Sequence, residues 1–371
     1  MKFSIDTDEL AKGLYRAQGI VEKKTAMPIL SNVLFTASKN GKITITATDL
    51  EVGMTGEHEA DVSKEGSITI SARHLYDIIR TLKKQKVTIT KLENNWAEIS
   101  CGKIEYRMLG MAAEEFQDLP DVSQAKMFDV DSGMIRDMID KTIYAVSTDE
   151  TRYNLNGSFL EKSGDEGFRM VATDGHRLSM IDSKMAKNPK EAVFDDGVII
   201  PKKGLMEIKR LVESEDVDCQ LGLDENNLVF KMSGVTVIMR LLDGQFPEYR
   251  QVVPEKQNII LQVDRKLLME SLRRVSILSS DRTLGLKLSL QKGFLRVSTS
   301  NPDLGEARED IEIEYDGKEL TIGFNARYLI DALATIETDI IEMSLEDDLS
   351  PGVFRPEGDQ KYTCVVMPMR I

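Results

Sequence analysis

Phe3-Ser4-Ile5-Asp6, Phe128-Asp129-Val130-Asp131 and Leu261-Gln262-Val263-Asp264 are three versions of one phrase. Each alternates apolar and polar residues, ends in Asp, and is followed by an apolar stripe at helical spacing. The three aspartates lie about 130 residues apart. A second mark recurs in the same order: Thr48-Asp49-Leu50, Thr173-Asp174-Gly175 and Ser300-Asn301-Pro302. A third is the second helix of each repeat, anchored at Leu75, Leu205 and Leu329. This period is longer than that of a solenoid, so each copy is a domain able to bury its own core. Three copies of one domain make geometry before they make chemistry, which points to a scaffold or a ring.

Each repeat contains an inner repeat. In the first, strand 2–6 leads to a helix expected over 7–22, striped by Leu10, Leu14, Ala17 and Val21 and capped by Asp6 or Thr7. Strands are expected at 33–37, 43–48 and 52–59. The pattern then restarts with strand 67–70 and a helix over 72–84, capped by Ser71 and striped by Leu75, Ile78, Ile79 and Leu82. Strands near 86–91, 95–100 and 104–109 close the domain. The unit is strand, helix, three strands, used twice per domain, and it gives a sheet with helices on one side. Proline and acidic residues cluster at Asp118-Leu119-Pro120-Asp121 and from Phe246 to Pro254. These junctions set expected domains of 1–122, 123–252 and 253–371.

Composition narrows the function classes. No apolar run approaches the ~18 residues needed to span a membrane, and Asp6, Asp8 and Glu9 stand where a signal peptide would be apolar. Cys101, Cys219 and Cys364 lie far apart without a C-x-x-C motif, as small hydrophobes in a reducing cytosol would. Thr173-Asp174-Gly175-His176-Arg177 with Ser179 offers an acid, an imidazole and a hydroxyl, but a triad needs the base within reach of its nucleophile, and Asp174 and His176 alternate on one short stretch. There is no Gly-rich loop ending in Gly-Lys-Ser/Thr and no zinc-like spacing, so neither a cofactor nor a metal is expected.

The net charge of −14 argues against nucleic acid until it is divided. The six expected helices together carry about +8, leaving about −22 for the rest. If all six face one way, that face attracts phosphates while the other repels them; the same charges also serve simply to solvate helix faces. Helices ~10 Å wide standing around a hole leave about 9 Å free when there are six and nearly 30 Å when there are twelve. Only the second admits a duplex roughly 20 Å across. Two chains joined head to tail, with contacts that close, would supply twelve.

At this point the residues resemble a known family. Met27-Pro28-Ile29-Leu30, Thr48-Asp49-Leu50-Glu51, Ala172-Thr173-Asp174-Gly175-His176-Arg177-Leu178, Asp243-Gly244-Gln245-Phe246-Pro247-Glu248-Tyr249-Arg250, Gly323-Phe324-Asn325 and Val365-Val366-Met367-Pro368-Met369-Arg370-Ile371 together are similar to the bacterial sliding clamps, the beta subunit of the replicative DNA polymerase III. The resemblance covers the whole length. It implies an α+β fold of three tandem clamp domains, with helices lining one face and antiparallel sheets on the other. It also implies a ring-shaped head-to-tail homodimer around duplex DNA, with no active site and no cofactor. A scaffold of three like domains that binds peptides and never encircles DNA is the alternative.

The resemblance further implies a pocket for short linear peptides of the polymerase III alpha subunit, the clamp loader, other polymerases and repair proteins. Its walls would be Leu155, Thr173, Gly175, His176, Arg177, Leu178, Pro247, Val252, Val365, Met367, Pro368, Met369 and Arg370, with Arg177 and Arg370 bonding peptide carbonyls or carboxylates. Without the family, Val365–Ile371 reads first as a final core strand with an incidental tail. The chain departs from many relatives at Asn154 and from some at Gln251. DNA contacts are expected at Lys24, Arg73, Arg152 and Lys202, to phosphates and without sequence preference. For closure, Tyr106 and Met108 would meet Ile277 and Leu278 of a second copy, although Tyr106 and Met108 also suit a core strand.

Overall fold

The structure, a computed structural model, describes residues 1–22, 26–164, 167–184, 197–214, 217–254, 258–280 and 284–370. The chain forms two compact units. The first contains Met1–Arg136 and Lys203–Leu241; the second contains Asp137–Lys184, residues 197–202 and Leu242–Ile371. Six α-helices are present among the described residues: α1 Thr7–Ala17, α2 Ala72–Ile79, α3 Ser132–Thr142, α4 Lys202–Ser214, α5 Arg265–Val275 and α6 Ala326–Ala334.

In the first unit, a five-stranded antiparallel sheet runs in the order Asp61–Lys64, Lys2–Asp6, Lys86–Lys91, Trp96–Cys101, Ile104–Leu109. An eight-stranded sheet runs Lys126–Val130, Cys219–Asp224, Asn227–Met232, Val235–Arg240, Val52–Glu59, Lys42–Thr48, Asn32–Ser38, Gly66–Ser71. The second unit has an eight-stranded sheet of Val198–Pro201, Gly157–Ser163, Gly167–Thr173, Arg177–Lys184, Tyr362–Val366, Gly352–Pro356, Ile340–Leu345 and Ile259–Asp264. Its four-stranded sheet is Gly305–Glu312, Phe294–Asn301, Gly285–Gln291 and Leu320–Asn325.

These orders show something the local pattern does not. The two inner units of each domain exchange their first strands. Lys2–Asp6 pairs with Lys86–Lys91 of the second inner unit, and Gly66–Ser71 with Asn32–Ser38 of the first. The same exchange joins Lys126–Val130 to Cys219–Asp224 and Gly157–Ser163 to Val198–Pro201. In the third domain it joins Ile259–Asp264 to Ile340–Leu345 and Gly285–Gln291 to Leu320–Asn325. Domains are then stitched at two seams, Val52–Glu59 with Val235–Arg240 and Arg177–Lys184 with Tyr362–Val366.

Strands and helices follow from patterning. Lys42–Thr48 reads Lys-Ile-Thr-Ile-Thr-Ala-Thr and buries Ile43, Ile45 and Ala47, a period of two that puts one face in the core. In α1, Leu10, Leu14 and Ala17 are buried at helical spacing; α5 buries Leu268, Leu272 and Val275. Both helices of the first domain are shorter than expected. α1 stops at Ala17, and α2 stops at Ile79; the Glu207 carboxylate and Arg210 guanidinium occupy the place where a Cβ on Gly19 would sit, so that position needs glycine. A short polar edge strand, Asp61–Lys64, has no apolar alternation to reveal it.

The expected caps need correction. Asp6 and Ser71 stand at the N-cap positions, but neither side chain bonds the helix backbone. Thr7 Oγ1 instead donates to the Lys83 carbonyl at 3.3 Å and accepts from the Gln85 N–H, and Ser71 Oγ pairs with His74 Nδ1 at 2.9 Å. The matching Asp131 and Asp264 do cap, accepting from the N–H of Met134 at 2.7 Å and of Leu267 at 2.9 Å. All three cysteines are free and buried, and burial pushes the Cys219 thiol up to about 12, which suppresses thiolate chemistry.

Candidate functional site

The recurring Thr-Asp mark is a turn. Asp49 Oδ1 accepts from the N–H groups of Glu51 and Val52 at 2.9 and 2.7 Å. Asp174 Oδ1 accepts from those of His176 and Arg177 at 2.9 and 3.0 Å. The residue after the aspartate is left-handed in both, with φ 80° at Leu50 and 86° at Gly175. Glycine meets that demand without strain. Thr173 Oγ1 braces the second turn, donating to the Arg177 carbonyl at 2.7 Å and accepting from the Gly175 N–H.

Beyond this turn the chain crosses the second seam, where Leu178 lies opposite Val365. Both are buried in an apolar cluster with Val171, Met180, Tyr249 and Val353, flanked by Phe159, Phe246 and Val253. Phe246 stacks on Phe159 with centroids 5.0 Å apart. Leu155 and Thr173 are buried nearby in sequence, while His176, Pro247, Val252, Met367 and Arg370 are exposed and Pro368 and Met369 half-buried. The tail is tied at two points: the Met367 N–H donates to the His176 carbonyl and the Met369 N–H to the Gly323 carbonyl, both at 2.9 Å. His176 lies flat against Tyr328 at 6.3 Å. A buried apolar cluster thus anchors the strand and tail that carry the exposed His176 and Met367, while Pro247 and Val252 are exposed on the segment that packs over it. Methionine suits a surface that must fit more than one side chain.

Arg177 is tied into the protein at three points. Its Nε donates to Asp174 Oδ2 at 3.0 Å, its Nη1 to Asp331 Oδ2 at 2.6 Å and its Nη2 to the Tyr144 carbonyl at 2.6 Å. Its guanidinium lies 4.6 Å from the Tyr328 ring centroid and 5.3 Å from that of Tyr144. Three of its five N–H donors thus hold the protein together, so Arg177 braces this turn in addition to the peptide-facing role expected of it. Asn154, noted in the sequence only as a departure from many relatives, has a local role: its Nδ2 donates to the Gln245 carbonyl at 2.8 Å, next to the Phe246-Pro247 segment.

The elements of a hydrolytic triad are likewise engaged elsewhere. Asp174 holds Arg177, and the buried Ser179 donates its Oγ to the Lys141 carbonyl. His58 is buried against Glu9, Nδ1 to Oε1 at 2.6 Å.

Of the residues expected to meet DNA, Arg73 is exposed on α2. Arg152 bends over the Asp174-Gly175 turn and donates to the Asp174 carbonyl at 3.0 Å. Lys202 is half-buried; burial, and then the charge of Arg177, hold its amine below its ordinary pKa. Lys24 lies outside the described residues. Several of the helix cations are paired. Lys203 is bound to Asp49, Arg210 to Glu207, Lys209 to Glu213, Lys266 to Asp339 and Arg274 to Glu309.

The residues expected to close a dimer sit on free edges. Ile104–Leu109 is the last strand of its sheet, and Tyr106 is 38% exposed instead of lying in a core. Met108 is half-buried. Ile277, just beyond α5, is 75% exposed and Leu278 is half-buried. They flank Gly305–Glu312, the free edge of the four-stranded sheet.

Comparison with known proteins agrees with this architecture. Family models of the DNA polymerase III beta subunit match in chain order: the N-terminal domain over 1–120, the central domain over 129–248 and the C-terminal domain over 250–370. The beta sliding clamp of Pseudomonas aeruginosa is 32% identical over 374 residues, and that of Haemophilus influenzae 32% over 372, each pair covering 100% of both chains. The crystal structure of the Pseudomonas aeruginosa DNA polymerase III subunit beta superposes with a TM-score of 0.93 at 33% identity. A Bartonella birtlesii sliding clamp bound to griselimycin superposes at 0.94 and 32%, and both comparisons cover 100% of each chain. With three clamp domains in tandem, two internal seams and full-length relatives, the chain belongs to the DNA polymerase III beta subunit family, the beta sliding clamps.

Proposed function

We propose that two copies of this chain close head to tail into a ring around duplex DNA and hold the replicative polymerase on its template, without catalysing a reaction. The observation that carries this is the pair of free edges. At each internal seam, the third strand of one domain's first inner unit pairs with the third strand of the next domain's second inner unit. By that rule two strands lack a partner, Gly305–Glu312 and Ile104–Leu109, and both lie on sheet edges. A second copy supplies what each lacks, giving six domains in domain bounds of 1–122, 123–252 and 253–371.

Sliding requires a weak, sequence-blind hold. The paired helix cations favour it, since neutralised charges contribute little to phosphate binding. Arg73, Arg152, Lys202 and Lys24 are the proposed phosphate contacts. The surface that carries His176, Pro247, Val252 and Met367 is proposed to take short linear peptides from the polymerase III alpha subunit, the clamp loader, other polymerases and repair proteins, with Arg177 and Arg370 as its charged donors. The site of action is the cytoplasm, a setting in which the three buried thiols stay reduced.

The test is retention on DNA of defined topology. The protein is loaded onto nicked circular plasmid with a clamp loader and ATP, isolated at raised salt, and the DNA is then cut. Retention on the circle with release on cutting is expected. Equal retention on both forms would mean direct binding and would end the ring reading in favour of a peptide-binding scaffold.

A further inference from the structure

The internal seams fix more than which strands pair; they fix the register. At the first seam Gly53 lies opposite Ile238, and at the second Leu178 lies opposite Val365. These positions are equivalent, because Gly53 is across the hairpin from Thr48 and Leu178 from Thr173, the residues that open the two matching turns. In the third domain the corresponding Ser300 is across from Glu306. On the other side of the seam, Ile238 belongs to a hairpin whose tight turn joins Met232 to Val235, and the hairpin of the first domain turns likewise from Cys101 to Ile104. Counted from the turn, Arg107 holds the place of Ile238.

From this, and resting on the head-to-tail reading above, we infer that two copies meet in a single register, with Arg107 opposite Glu306 and Glu105 opposite Arg308 of the second copy, and that these crossed charges select another copy of this chain as the partner. All four residues are exposed. Opposite charges directly across an antiparallel pair attract and like charges repel. A slip of two residues in one direction sets Arg107 against Arg308 and Glu105 against Asp310; a slip in the other sets Glu105 against Glu306. A slip of one residue turns every side chain to the wrong face.

The other face agrees with the same register. Tyr106 and Met108 share the core side with Ile99 and Ala97, their cross-strand neighbours. They fall opposite Ala307 and Gly305, small residues that leave room for the tyrosine ring to reach towards Ile277 and Leu278. The outer face explains the charges. At the first seam a Cβ on Gly53 would strike Leu119 of the interdomain linker, and at the second Phe246 and Tyr249 cover Leu178 and Val365. No linker joins two copies, so the equivalent positions remain in water, where charge carries no desolvation cost.

The test uses sedimentation across a dilution series at moderate salt. A ring dimer contains the contact twice, so Arg308→Glu alone and Glu105→Arg alone should each weaken dimerisation about tenfold or more. The doubly substituted chain should return to within about threefold of the natural one. Mixing the two single variants should produce a mixed dimer, because both of its contacts are then complementary. Circular dichroism confirms that these exposed substitutions leave each chain folded. A dimeric natural protein whose single variants are not rescued, in the double chain or in the mixture, would overturn the register. A natural protein that is monomeric at every concentration would overturn the head-to-tail reading itself.

Discussion

Arg177 Nη1 reaches Asp331 Oδ2 at 2.6 Å across 154 positions of sequence. The contact ties the turn that opens one seam strand to α6, and the same guanidinium spans Asp174 and the Tyr144 carbonyl. Removing one member of a largely buried, hydrogen-bonded charge set leaves the others uncompensated. Arg177→Ala should therefore cost about 3 kcal/mol in denaturant unfolding. Arg177→Lys should recover little, since an ammonium cannot reproduce the planar fork. Unfolding midpoints equal to that of the natural protein would rule out this bracing role.

His176 presents the opposite case. It is exposed and stacked on Tyr328, and its ring is bound to no structural carboxylate like that of Arg177. His176→Ala should weaken a labelled partner peptide by about fivefold in fluorescence anisotropy, the scale of a rim contact, with the unfolding midpoint unchanged. Unaltered peptide affinity would remove His176 from the site.

Deleting residues 367–371 takes away Met367, Pro368, Met369 and Arg370 together with the backbone bonds to His176 and Gly323. Peptide binding should be abolished while sedimentation still shows a dimer, because the proposed closing edges lie on other strands. Loss of the dimer as well would count against the separation of the two surfaces.

Glu207 sets a pH dependence. Burial raises its pKa in the folded protein, with the charge of Arg210 opposing. The folded state therefore holds this proton more tightly than the unfolded state does. Its contribution to stability is largest at low pH and fades as pH rises from the ordinary carboxylate range through the folded value. Glu207→Gln keeps the neutral form at every pH. The melting temperature of the variant should thus gain on that of the natural protein between pH 4 and pH 7; a difference that stays flat or reverses would show that the ion pair with Arg210 dominates.

Several of these features were legible in the chain and others were not, for identifiable reasons. The threefold phrase, the Thr-Asp turns and the alternation of Lys42–Thr48 are local, and periodicity reads local structure. The exchange of first strands is not local: nothing between Lys2 and Asp6 says that its neighbour will be Lys86–Lys91 rather than Asn32–Ser38. The bracing of Arg177 by Asp331 was hidden for the same cause, since Asp331 stands far along the chain. The summed helix charge could not show that Lys203 is neutralised from outside its own helix, by Asp49. Asp61–Lys64 was invisible because an exposed edge strand needs no apolar face.

The strand exchange has a consequence for how the protein is made. Ser4 Oγ meets Thr88 Oγ1 at 2.8 Å, 84 positions downstream. The opening strand thus leaves the ribosome long before its neighbour exists. At ~5–20 residues per second, it waits roughly 4–17 s for that neighbour, with only the short Asp61–Lys64 strand available to its other edge before then. Each domain repeats that wait, and no inner unit can close a sheet of its own first strand in the meantime. Such non-local pairing slows folding and exposes the nascent chain to wrong partners, including the strands of another nascent copy. The threefold architecture therefore asks most of the cell's folding machinery during synthesis, before any ring can assemble.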